Sequence, residues 1–502
     1  MSANILDKII GWVSPEDGAR RMRARLALDH FRKYDAAGFG RRVEDWKVGN
    51  VSANRETEMS IQRLIARSRE LDRNNPYAKR AIERIADNVV GMGIRPTFSK
   101  DIKKFKSAWT AWAEGDSKEC DFDGRLNFYG LQWLVMRTVA ESGSCFIRKR
   151  RTNKNTKSGI PIQLQVFEPD IIDHSRNYNA FSRTDKKQDP NGFIMQGIEF
   201  DGNGQRVGYW MWERYPSETV GIVNNLQSKF VPVEEVIHVY QIERPGQVHG
   251  VPFGVQSLLR LKDFDDFEDA ELMRQKIAAC FSAFVVESTS SAPARTSGKK
   301  PPLPERVEPG MIERLSPGEQ ISFGNPPTKE GFAEYSRSVL RGIAAGYGVT
   351  YEALTGDMTA VNFSSGRMGW LEFNRTVDRY QENMFIPLFC AEAFAWFLEG
   401  TKVGMVYLKD DVGASWTPPK REMIDPSKEI AALSDSVRNG FIDWGEAVTS
   451  LGYDPETVIG RIDKWNQAFD AKNIILDSDP RKTAKGGKNQ LAPPNEGGAP
   501  QQ

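Results

Sequence analysis

The sequence predicts an α+β chain in which a run of short strands is set between groups of helices. Three observations carry this expectation. Apolar residues recur at three- and four-residue spacing from Arg55 to Val90, the period falls to two between Cys145 and Tyr240, and the helical period returns from Ser257 onward. A chain of 502 residues has room for two to four compact units of about 100 to 200 residues each.

Taken in order, residues 1–40 hold a basic cluster, Arg20, Arg21, Arg23 and Arg25, then Asp35, Ala36, Ala37, Gly38 and Gly40, which is the composition of a weakly ordered arm. Between Arg55 and Val90, Asn74-Asn75-Pro76 divides the helical pattern in two. The second helix starts at the proline, whose fixed φ and missing N–H suit a first turn. Past Lys100 a further helix carries Trp109 and Trp112, and Leu131 to Val139 forms another. Strands are expected at Phe146–Arg150, Ile162–Phe167, Phe193–Phe200, Val207–Trp212 and Val236–Tyr240, separated by Gly, Asn and Asp turns.

One long helix is expected from Ser257 to Phe284. It ends in a Ser-, Pro-, Ala- and Lys-rich stretch from Ser288 to Pro304, followed by two short strands, Met311–Leu315 and Gln320–Phe323. Phe332, Tyr335, Val339, Leu340, Ile343 and Tyr347 then share one helical face that runs out at Gly346 and Gly348. The period is lost from Val349 to Phe363, where Thr355, Gly356, Asp357, Thr359 and Asn362 give the composition of an exposed loop. A new helix follows, capped by Ser364 or Ser365, with Met368, Leu371 and Phe373 to Val377 as its apolar side. The run from Phe385 to Leu398 contains Pro387 and Glu392 and falls short of the roughly 20 residues needed to cross a bilayer, so it reads as a buried helix. Short helices at Pro426–Arg438, Trp444–Ser450 and Pro455–Ala471 precede a final thirty residues of disordered composition.

Composition narrows the function. Lysine plus arginine number 68 against 67 aspartates plus glutamates, so a tight, general DNA binder is not expected and any DNA contact should be local. Cys120, Cys145, Cys280 and Cys390 lie far apart without CxxC spacing, which argues for reduced thiols and against a zinc site. The N-terminus lacks the continuous apolar core of a signal peptide. No GxxxxGK[ST] phosphate cradle and no GxSxG elbow occur, and Gly91-Met92-Gly93 is half a dinucleotide fingerprint that reads as a helix terminator. Four histidines leave few catalytic constellations. The best is Glu168, Asp170, Asp173 and His174, which could hold a divalent cation in a nuclease; the competing reading is a strand followed by a turn whose Asp side chains bond local donors. Trp109, Trp112, Trp370 and Trp396 fall in apolar stripes and read as core or subunit contacts.

Several segments resemble one family. YEALTGD from Tyr351, NFSSGR from Asn362 and the helix that follows closely resemble the lambda-type portal proteins of tailed bacteriophages. So do RNNPYAKRAIERIADNVVGMGIRP from Arg73 to Pro96, FEPDIID from Phe167 to Asp173, HVYQIERPGQVHGVP from His238 to Pro252, AELMRQKIAA from Ala270 to Ala279, and the helix start at Asp425 to Glu429. The likeness covers roughly residues 20 to 470, with all segments in the same order.

The resemblance implies a non-enzymatic portal without cofactor. Such proteins form a ring, typically of about twelve copies, at one capsid vertex. Double-stranded DNA passes through the ring during packaging and ejection, and terminase large subunit, major capsid protein and head completion or adaptor proteins are the partners. It implies residence in the virion, with the host cytoplasm as the place of assembly and no membrane. It also implies a partition: flexible arm 1–40, wing 41–255, first stem helix 256–284, clip insertion 285–328, second stem helix 329–349, tunnel loop 350–363, long wing helix and return segment 364–425, crown 426–472 and disordered tail 473–502.

Within that frame, Thr355, Asp357, Thr359 and Asn362, with Arg341 and Arg367 on either side, would meet the passing DNA backbone. The acidic row Asp263, Asp265, Asp266, Glu268, Asp269 and Glu271 would line the channel and repel phosphate. The bland alternatives are a solvated helix face or pairing with a neighbouring subunit for the acids, and a salt bridge to Asp357 or Glu372 for Arg367. Two other functions stay in view: a metal-dependent DNA-processing enzyme, and a monomeric capsid adaptor or scaffolding protein.

Overall fold

Asn75 shows how local chemistry sets the first half of the chain. Helix α2 (Ile61–Asn74) ends against it, and α3 (Pro76–Val89) begins after it. Its side-chain oxygen accepts from the N–H groups of Tyr77 and Ala78, both at 3.0 Å, while Pro76 takes the N-terminal position that needs no donor. The amide also donates to Asp265 at 2.6 Å, so one residue caps a helix and ties it to a segment 190 positions away.

The computed structural model describes residues 49–100, 102–153, 156–177, 192–218, 227–279, 283–287, 319–323, 331–359, 361–403, 412–421 and 425–476, with a few shorter pieces. The chain divides into two compact units, residues 1–56 and 57–502. In the first, Pro15–Asp17 is helical and the Ser14 hydroxyl donates to Asp17 at 2.9 Å. Most of the expected N-terminal arm, the stretch 288–304, the strand Met311–Leu315 and most of the tail lie outside the described residues.

Helix α1 (Ala53–Glu58) precedes α2. After α3 come β1 (Arg95–Phe98), α4 (Lys103–Trp109) with a π turn over Thr110–Glu114, and α5 (Phe128–Ser142). Two antiparallel sheets follow. One has the order β3-β2-β8, from β2 (Ser144–Arg151), β3 (Ile162–Phe167) and β8 (Val236–Tyr240). The other is a meander of β4 (Phe193–Met195), β5 (Ile198–Phe200), β6 (Arg206–Met211) and β7 (Lys229–Pro232). The single strand expected over Phe193–Phe200 is a hairpin, because Gln196 and Gly197 take φ of 49° and 79° and turn the chain.

Helix α6 (Leu258–Ala279) ends earlier than expected. Ala283–Glu287 forms β9, which pairs antiparallel with β10 (Glu319–Phe323), as its Phe and two Val residues favour. Helix α7 (Phe332–Tyr347) leads through α8 (Tyr351–Thr355) into α9 (Phe363–Tyr380). Helix α9 continues as a π stretch, Gln381–Cys390, and then as α10 (Ala391–Val403). Pro387 lies inside the π stretch, where the wider register tolerates its missing donor. By length and composition Ser364–Val403 could cross a bilayer, yet 56% of its most apolar window is buried within the protein. Strand β11 (Ala414–Thr417) returns to pair with β1, and α11 (Pro426–Arg438), α12 (Trp444–Ser450) and α13 (Pro455–Ala471) follow.

The main core is built on α10 and its aromatic neighbours. Trp109 lies 5.0 Å from Phe397 and 5.4 Å from Phe128, and Trp112 lies 5.2 Å from Phe397, while the Trp112 indole N–H donates to the Ile162 carbonyl at 2.8 Å. Replacing Trp112 by Ala removes a fully buried ring and orphans that carbonyl. A loss of about 3–5 kcal/mol is expected in denaturant titrations followed by circular dichroism.

A second core joins the two sheets and contains three of the chain's four histidines. The His174 and His249 rings are 4.7 Å apart and the His238 and His249 rings 5.5 Å apart, with His238 stacked between Phe146 at 4.1 Å and Tyr240 at 4.4 Å. His174 Nε2 sits 3.1 Å from the Pro169 carbonyl and His249 Nε2 3.0 Å from that of Gln196. Burial holds all three imidazoles below their ordinary pKa; Arg206 adds repulsion at His238 and His249, whereas Asp170 and Asp173 partly offset the burial of His174. An unfolded chain therefore takes up protons below about pH 6.5 that the folded chain refuses, so stability is full above that pH and falls beneath it. Each histidine adds a slope of up to about 1.4 kcal/mol per pH unit. Urea midpoints measured from pH 7 down to pH 5 should decline, and less steeply in His249→Asn.

Candidate channel-facing site

The expected site lies along α6, α7, α8 and the start of α9. The turn that opens α6, residues 254–257, packs on α7 through small residues. A Cβ on Gly346 would fall on Ser257 Oγ and one on Gly254 on the Tyr347 ring. The Ser257 hydroxyl donates to the Ile343 carbonyl at 3.2 Å across this contact. Further along, Phe267 stacks on Phe332 at 5.7 Å and meets Tyr335 edge-on at 4.8 Å, so the pair is sealed by small residues at one end and rings at the other.

Thr350 caps α8 by accepting from Ala353 N–H at 3.1 Å, and Gly356, at φ 76°, ends it. Arg80, on α3, donates from Nε to the Ala353 carbonyl at 2.9 Å and satisfies a helix end. The polar residues expected to be free for a passing backbone are bonded to one another. Asp357 accepts from Tyr351 OH at 3.2 Å and from both the N–H and hydroxyl of Thr359, at 3.0 and 2.6 Å. The Thr359 bonds hold its carboxyl below the usual range. Thr355 accepts from Asp357 N–H at 3.1 Å and donates to the Tyr351 carbonyl at 2.9 Å. Asn362 caps α9 reciprocally with Ser365, at 2.8 and 3.2 Å. The cap is thus Asn362 and not Ser364 or Ser365, because its Asx oxygen reaches the third helical N–H.

Both flanking arginines are exposed. The Arg341 guanidinium lies 5.6 Å above the Tyr351 ring. Arg367 has no ion-pair partner among the described residues, and neither Asp357 nor Glu372 approaches it. Met368 and Leu371, expected on the apolar face of α9, are exposed, while Phe373 and Val377 are buried.

The acidic row on α6 divides. Asp266 pairs with Lys262 at 2.6 Å, and Glu271 accepts from Arg274 Nε at 2.8 Å, which with Gln275 pulls its carboxyl down to about 2. Asp265 is raised by burial despite the Asn75 bond, and Glu268 by burial beside Asp265 and Asp269. Asp263 and Asp269 are exposed and have no ion-pair partner among the described residues.

The candidate metal cluster is occupied by a cation of the chain itself. Arg69 pairs with Asp170 at 2.6 Å and Glu168 at 3.1 Å, while Asp173 accepts from Ser175 and Ser228 at 2.6 and 2.7 Å. Among the described residues no group of three or more His, Cys, Asp and Glu is placed to hold a metal ion.

A family model described as "Phage portal protein, lambda family" matches residues 39–381. The chain belongs to that family. As a lambda-family portal protein it is a structural channel component of the virion and not an enzyme. It is 22% identical over 432 residues to a probable portal protein of Halomonas phage phiHAP-1, covering 81% of this chain and 80% of that one. It is 22% identical to portal protein B of Escherichia phage lambda, covering 66% and 67%. Among solved structures, a chain from the neck of an empty gene transfer agent particle aligns at TM-score 0.46 and 15% identity, covering 80% of this chain and 94% of that one. An HK97 family phage portal protein from Corynebacterium diphtheriae aligns at TM-score 0.30 and 11% identity, covering 76% and 99%.

Three contributors are not among the site residues named from sequence: Tyr351, Arg80 and the seam of Gly254, Ser257 and Gly346. The small-residue spacing of Gly342 and Gly346 was the signal for the last. Gly346→Leu should force α6 from α7 and cost about 1–3 kcal/mol in thermal or urea unfolding. Gly460→Ala, where nothing lies within 4 Å of the added carbon, should leave stability the same or slightly higher.

Proposed function

We propose that the chain forms a closed ring at one capsid vertex through which double-stranded DNA enters and leaves. Terminase large subunit would dock on the insertion at 285–328, head completion or adaptor proteins would follow it there, and the ring would assemble with major capsid protein in the host cytoplasm. In this reading α6 and α7 are the stem, residues 350–363 the tunnel loop, 41–255 and 364–425 the wing, and 426–472 the crown.

The observation that carries the reading is the segment from α8 to Asn362. It projects Arg341 and Arg367 at its edges, yet its own polar groups are spent on internal bonds. A surface so wired can brush phosphates without adding the many contacts that would hold a duplex in place. Unpaired Asp263 and Asp269, repeated around a ring, would add repulsion of the same sense. Exposed Leu272, Met273, Met358, Met368 and Leu371 supply apolar area for contact between neighbouring copies.

Sedimentation of the purified chain should give a species of about twelve times 56.6 kDa, with an axial hole in end-on images. Met368→Glu should shift that species toward monomer. A monomer at every concentration, with and without capsid protein, would instead establish the adaptor reading.

A further inference from the structure

A cleft of about 480 Å³ opens between the C-terminal end of α3, the loop before β1, the middle of α9 and the segment 417–421 after β11. It shares no residue with the channel-facing segment. Arg84, Arg95, Lys420 and Arg421 all line it. A single carboxylate, Asp87, lies among the lining residues. Arg84 is only 3.6 Å from Asp87 with both side chains 45% exposed, and Arg95 is 3.6 Å from Glu114, so neither cation is strongly neutralised. Lys420 rests 5.8 Å over the Tyr453 ring, and Arg421 pairs with Asp378.

Asn374 supplies the second observation. It is 8% exposed, it lines this cleft, and its side-chain amide makes no hydrogen bond among the described residues. Its amide keeps access to the cleft, so a ligand carrying an acceptor and a donor can pair with it. Trp370 contributes an apolar wall beside it. Arg84, Arg95 and Lys420, an amide open to the cleft and an aromatic wall describe a receptor for an anionic chain that also has backbone amides and carbon.

We propose that this cleft binds an extended acidic peptide segment of a partner protein, its carboxylates held by Arg84, Arg95 and Lys420 and its backbone by Asn374. The volume favours peptide over duplex DNA: a cleft of about 480 Å³ is far too small to admit a double helix, whereas a few residues of an extended strand fit. Arginine forks match carboxylates in bidentate geometry, and Asn374 matches the donor and acceptor of a peptide unit.

The test uses the full chain in its native assembly and a fluorescein-labelled oligoglutamate peptide, read by anisotropy. Saturable binding is expected, weakened at least about tenfold by Arg84→Glu with Lys420→Glu and also by Asn374→Leu. The two charge changes are on exposed side chains, so an unchanged melting temperature and sedimentation profile in that variant assigns its loss to the cleft and not to misfolding. Asn374→Leu should further remove any preference for oligoglutamate over free glutamate, a split that general unfolding would not produce. Absence of saturable binding, equal binding by the Arg84→Glu, Lys420→Glu variant, or displacement of the peptide by oligothymidylate at equal concentration would each overturn the proposal.

Discussion

The constraint on which the larger unit depends is the covering of one helix. From Phe363 to Val403 the chain is helical without a break, and its second half, with Phe385, Phe389, Phe394 and Phe397, is apolar on more than one side. A helix of that kind in water must be enclosed by other elements. Helix α5 supplies Phe128, α4 and its π turn supply Trp109 and Trp112, and the β1–β11 pair supplies Phe98 and Trp416. The ends are closed by polar bonds: Gln381 donates to the Val89 carbonyl at 2.7 Å and so finishes α3, and Lys149 reaches Glu399 at 2.7 Å.

Much of this architecture was legible in the sequence because it rests on strong local signals. Asn75-Pro76 marks a boundary between helices, Ile162–Phe167 alternates as a strand, Val236–Tyr240 is a short β-branched and aromatic run, and Pro426, Trp444 and Pro455 each follow an Asp that caps a helix. Strand β7 was missed because Lys229-Phe230-Val231-Pro232 is short and ends in proline. The π register around Pro387 could not be read, since periodicity suggests a break where the helix instead widens.

The candidate site was legible in position more than in chemistry. Its composition marks a loop, but side chains that look available by type are claimed by neighbours two to six residues away, as Asp357 is by Thr359 and Tyr351. The acidic row looks uniform in sequence, whereas helical geometry sends Asp265 toward Asn75 and leaves Asp263 in water. Likewise Asp170 and Glu168 suggest a cation, and the cation turns out to be Arg69 from a helix about a hundred residues upstream. Such pairings depend on tertiary approach, which spacing along the chain does not encode.

Helix α8 is bounded by two glycines in the left-handed region, Gly348 at φ 71° and Gly356 at φ 76°. Between them the segment is braced by its own bonds, and it is tied to the rest of the fold by the buried Val349 and Leu354 and by Arg80 at the Ala353 carbonyl. Mechanically this is a stiff strut with a glycine joint at either end, seated on the core by its apolar side. A swing of this strut would expose Val349 and Leu354 as well as break the Arg80 bond, so the core behind the segment, and not one guanidinium, fixes where it stands.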